Sequence, residues 1–157
     1  MSDDRIVDIS LDDRTVIRRS PEVEHELNVA IYDILESNLF VPVGDYQGPY
    51  KVHLSIEERR RLIFEIAGEA DQAQGRIALS LTPFRRIVRD YFQICESYYD
   101  AIKRLSPSQI ETIDMARRAV HDEGAGILAE RLDGRIGVDD ETARRLFTLI
   151  CVLHIRG

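Results

Sequence analysis

The chain has 157 residues, of which 44% are hydrophobic and 31% charged, and a formal net charge of −7. That length fits one domain burying roughly 70% of the surface its unfolded form exposes. The composition argues against a membrane protein, because the longest apolar run, Leu146 to Ile155, is about half of a spanning helix; the sequence pI of about 5.1 argues against a large footprint for DNA or RNA.

In chain order, "MSDDRIVDIS" carries neither a basic leader nor a long apolar segment, so a cytoplasmic location is expected. Val7, Ile9 and Leu11 alternate as on one face of a strand. Ser20-Pro21 opens a helix over about 21–38, with Val23, Leu27, Ala30, Ile31, Ile34 and Leu35 at helical spacing. "GDYQGPY" then returns the chain to a sheet. Period-two alternation recurs at Tyr50, Val52, Leu54 and Ile56, at Leu62, Phe64 and Ile66, and at Ile77, Leu79 and Leu81. The short links "EERRR" and "AGEADQAQG" make these three strands an antiparallel meander.

Thr82-Pro83 predicts a second helix over about 83–104, with the stripe Phe84, Ile87, Val88, Tyr91, Cys95, Tyr98 and Ile102. Ser106-Pro107, with Gln109 at capping-box spacing, opens a third. "EGAG" is expected to weaken or break it near Gly124 and Gly126. "RLSPS" joins the two as an antiparallel hairpin. A fourth helix starts at Asp139 or Asp140 and becomes apolar on every side, with a buried strand as the alternative for Leu149 to Ile155. The order β-α-β-β-β-α-α-α predicts a single α+β domain over 1–157, with helices packed on the apolar face of a small antiparallel sheet of about four strands. Cys95 and Cys151 sit in apolar stretches without metal spacing and read as buried free thiols.

Arg85, Arg86 and Arg89 stand at the start of the second helix, where the macrodipole disfavours cations. Arg86 reaches Asp90 at i, i+4, which leaves Arg85 and Arg89 less compensated. Either carboxylates elsewhere in this acidic chain pair with them, or they form an anion or phosphate site at the helix N-terminus. In "DMARRAVHDEG", Asp114, Arg117, Arg118 and His121 share one side of a helix within two turns. That set could hold a phosphorylated ligand or shuttle a proton, with His121 and Asp114 the weak catalytic candidates, or it could be a set of structural ion pairs.

Glu22-x-x-His25 is half of a di-metal motif whose second copy is missing, so no metal or other cofactor is assigned. His53 should point away from the core, and His154 falls in the apolar C-terminal run. No P-loop, GxGxxG or GxSxG occurs. Tyr91, Phe92, Tyr98 and Tyr99 place aromatics on both sides of the second helix, either as packing or as a partner surface.

Together, "LSLTPFRRIVRDYFQICESYYDAI", "IDMARRAVHDEG" and "TARRLFTLICVLHIRG" resemble the signature blocks of a small uncharacterised bacterial protein family, known only by an uncharacterised-protein-family number. The resemblance implies a bacterial cytoplasmic protein and carries over no catalytic residues. The functional expectation is a non-enzymatic binding or regulatory domain recognising a protein partner, or itself, through the hairpin 83–132. The alternative is a small-anion or phosphorylated-ligand site using Arg85, Arg89 and His121.

Overall fold

The computed structural model describes residues 3–12 and 21–153. The meander forms as its alternation dictates: β3 (Tyr50–Glu57), β4 (Arg61–Gly68) and β5 (Ala73–Ser80) are antiparallel neighbours. Val52 pairs with Ile66 and Leu54 with Phe64, all on the core face. β1 (Ile6–Leu11) lies beside β3 but parallel to it, so the four-stranded sheet, ordered β1-β3-β4-β5, is mixed. A parallel neighbour requires a crossover, and α1 (Pro21–Glu36) lies in the connection between the two strands.

The expected inward face of β1 is corrected. The register steps from Ile6 opposite Tyr50 to Asp8 opposite Lys51, so Val7 is an extra, bulged residue. Ile6 and Ile9 therefore enter the core, in place of an unbroken Val7, Ile9, Leu11 set. A second, two-stranded sheet pairs β2 (Phe40–Pro42) with β6 (Ile136–Val138). Strands of three residues are too short to show an alternation.

Thr82 does not cap the second helix. Thr82–Phe84 form a 3-10 turn whose first carbonyl, that of Thr82, accepts from Arg85 N–H, and α2 runs Arg85–Ala101. α3 (Pro107–Leu132) begins with the expected capping box between Ser106 and Gln109 and is not broken by its glycines. Gly124 is there for close approach: a Cβ on it would lie 2.1 Å from Cζ of Phe147. α4 (Asp140–Leu153) is helical to the last described residue, and Asp139 Oδ1 accepts from Thr142 N–H at 2.8 Å. Leu146 to Leu153 is buried throughout, as a helix inserted between α1, α3 and the sheet must be. Ser20 and His154 lie outside the described residues. No helix among the described residues is long and apolar enough to cross a membrane.

Candidate binding surface on the helical hairpin

The β3–β4 turn and the start of α2 meet at one end of the molecule. Glu58 and Arg59 take positive φ in the turn, Leu81 N–H donates to Arg60 O at 2.9 Å, and the Arg85 guanidinium donates to Arg59 O at 2.9 Å. These bonds place the exposed side chains of Arg59, Arg60, Arg85 and Arg89 on neighbouring segments. None of the four has an ion-pair partner among the described residues. Arg86 is different, since it bonds Asp90 and Glu123 at 3.0 Å each. The 3-10 turn also uses the N–H groups of Phe84 and Arg85. What this region offers is therefore exposed guanidinium groups, rather than an open cradle of backbone donors.

The other predicted cluster is drawn inward. Arg117 donates to Asp114 Oδ1 at 2.8 Å and to Glu26 Oε1 at 3.3 Å, and Arg118 pairs with Asp114 Oδ2 at 3.0 Å. Tyr99 OH donates to the same Glu26 oxygen at 2.7 Å. The hydrogen bond from Arg117 holds the Asp114 carboxyl below its usual range. Burial opposes the Arg117 charge, but Asp114 and Glu26 outweigh it and raise its pKa. Burial, then the Glu26 bond, raises that of Tyr99. Glu26 was missed in the sequence, since a carboxylate 91 positions from its arginine leaves no local spacing to read.

His121 packs against Tyr91 and Phe147, with ring centroids 5.3 and 5.4 Å away, and its Nε2 is 2.8 Å from Thr148 Oγ1. Burial, then the Arg144 charge, lowers its pKa. Asp114 and His121 thus each have their own structural partners and no hydrogen bond to one another.

On the outer face of the sheet, His53 points away from the core, as its position in the alternation predicts, with Nδ1 2.7 Å from Ser10 Oγ. The pair borders a depression of about 580 Å³. Two cations at its edge are already held, Lys51 by Asp71 at 3.0 Å and Arg76 by Glu57 at 2.8 Å. His25 is exposed, and no group of three or more His, Cys, Asp or Glu among the described residues could hold a metal.

Residues 3–156 match the family described as "Uncharacterised protein family (UPF0262)". The chain is similar to a UPF0262 protein of Rhodospirillum rubrum, 56% identical over 98% of this chain and 94% of that one. It is 55% identical to one of Ruegeria pomeroyi over the full length of both. A third relative, from Brucella canis, is 57% identical over 98% of this chain and 95% of its own. No solved structure matches.

Proposed function

Because the chain belongs to the uncharacterised protein family UPF0262, whose description carries no activity, we propose a function from its surface: a binding module that recognises an acidic protein surface through the arginine-bearing end of the α2–α3 hairpin. The observation that carries this reading is the set of four exposed arginines, Arg59, Arg60, Arg85 and Arg89, which have no ion pair among the described residues, in a chain of 28 acidic and 21 basic residues. With carboxylates in excess, internal pairing was available, and Arg86, Arg117 and Arg144 all use it. Four exposed guanidiniums spread over two segments suit an extended acidic segment better than a single enclosed phosphate.

The test is fluorescence anisotropy with a labelled glutamate-rich peptide and the full chain. Binding that weakens as salt rises, and drops at least about tenfold in R85A/R89A but not in R118A, supports the reading. No binding, or binding indifferent to R85A/R89A, overturns it.

A further inference from the structure

The exposed face of α2 carries a charge sequence with an internal symmetry. Arg85, Arg89, Gln93, Glu96 and Asp100 are all exposed, and at about 100° per residue they fall in a strip about 80° wide. Both arginines lie in the first half and both carboxylates in the second. Each half opposes the helix's own macrodipole, which favours anions at the N-terminus and cations at the C-terminus. Positions 85 and 100 are equidistant from the midpoint between Phe92 and Gln93, and so are 89 and 96. A second α2 laid antiparallel across the first sets each Arg85 opposite Asp100 and each Arg89 opposite Glu96. It also brings opposite charge to both unfavourable halves.

The partners these groups have within one chain leave that pairing open. Arg89 and Glu96 have no ion pair among the described residues, and seven positions, about 10 Å along the axis, separate them on one helix. Asp100 bonds Arg104 in the turn that follows, and among the described residues the Arg85 guanidinium bonds the Arg59 carbonyl. Beside the acidic half, a groove of about 310 Å³ runs between α2 and the start of α1. Its charged lining is three carboxylates, Glu22, Glu96 and Asp100, against one cation, Lys103, so it is acidic on balance, while Val23, Phe92 and Tyr99 supply apolar wall. Carboxylates above an aromatic wall suit an arginine, whose stem is apolar and whose planar head stacks and forks.

We infer that the acidic surface met by the arginine end is that of a second copy of this chain, bound with α2 antiparallel to α2 about a two-fold axis near Phe92 and Gln93. This rests on the binding reading above and names its partner. The contact is isologous, so it closes as a dimer rather than growing into a fibre. It spans about 22 Å of helix and is mostly polar, which places it among weak, salt-sensitive associations.

Sedimentation velocity of the full chain tests this. The dimer fraction should rise with concentration and fall as salt is raised. R89E and E96R, both at exposed positions, should each keep the wild-type melting temperature and weaken the dimer at least about tenfold, because like charges then face each other twice. Mixing the two variants should restore a dimer of wild-type strength, since each contact across the pair again joins arginine to glutamate. A chain monomeric at all concentrations, a dimer indifferent to both substitutions, or a mixture that stays monomeric overturns the inference. If the chain is monomeric yet binds the glutamate-rich peptide through Arg85 and Arg89, self-association falls and the binding reading stands. If neither the peptide nor a second copy engages these arginines, both fall.

Discussion

The guanidinium carbon of Arg117 lies 4.4 Å from the ring centroid of Tyr98. With Glu26 and Asp114 at its edges, this one side chain connects α1, α2 and α3. Arg117 is only 22% exposed and Glu26 28%, so the group is less screened than a surface pair. R117A leaves the half-buried Glu26 without its cation, Asp114 with only the exposed Arg118, and the Tyr98 ring without its cover. The expected loss is about 1–3 kcal/mol, or several degrees in melting temperature for a domain of this size. R117K should recover part of it, because a lysine keeps the charge but not the stacked, forked geometry. Thermal melts of the three proteins check both statements.

The two glycines of α3 should respond in opposite directions to the same substitution. G124A forces a methyl against Phe147 in a packed interior and should cost about 1–3 kcal/mol. Position 126 has nothing within 4 Å of an added Cβ. G126A should therefore stabilise by about 0.5–1 kcal/mol, by removing backbone freedom from a helix interior. Urea unfolding of both variants measures the signs, and two losses would mean that α3 is not a continuous helix through these positions.

Where the sequence was legible, the reason was local. Ser106, Pro107 and Gln109 announce α3 through bonds made within one turn, and the alternation of β3, β4 and β5 records a half-buried surface directly. Gly124 was misread because its role depends on Phe147, a residue of another helix, and propensity alone counts any glycine against a helix. The parallel placement of β1 was likewise invisible, since alternation gives a strand's faces and not its neighbour's direction. At the candidate surface, Arg85, Arg86 and Arg89 stood out in the sequence. The Arg86–Asp90 pair was legible from its i, i+4 spacing; the Arg86–Glu123 bond comes from α2 lying against α3, and only the β3–β4 turn folding back on α2 brings Arg59 and Arg60 to the other two.

Cys95 and Cys151 should be slow to react in the native protein. Both are buried and free; burial pushes the Cys95 thiol up to about 11 and holds that of Cys151 well above its usual range. At neutral pH almost none of either is the reactive thiolate. A colorimetric thiol reagent should label both rapidly in denaturant and neither on the same timescale under native conditions. Rapid native labelling of Cys151 would show that α4 is not packed as described.

His121 should make stability fall on acidification. Its pKa is lowered in the folded protein, first by burial and then by the Arg144 charge, with Arg117 acting in the same direction and Asp122 and Glu26 against it. In the unfolded chain the imidazole titrates near 6.5. Between that value and the lower folded pKa, the unfolded state binds more protons than the native one, so the unfolding free energy rises with pH. The contribution of a neutral His121 is complete above about pH 6.5 and is lost as pH falls from there toward the folded pKa. H121Q is neutral throughout and can still reach toward Thr148. Urea unfolding of wild type and H121Q at several pH values below neutrality should give a steeper decline for the wild type, with the two curves converging in slope above about pH 7. Parallel curves over the whole range would mean that the imidazole is as accessible to protons in the native state as in the unfolded one, against its packing on Tyr91 and Phe147.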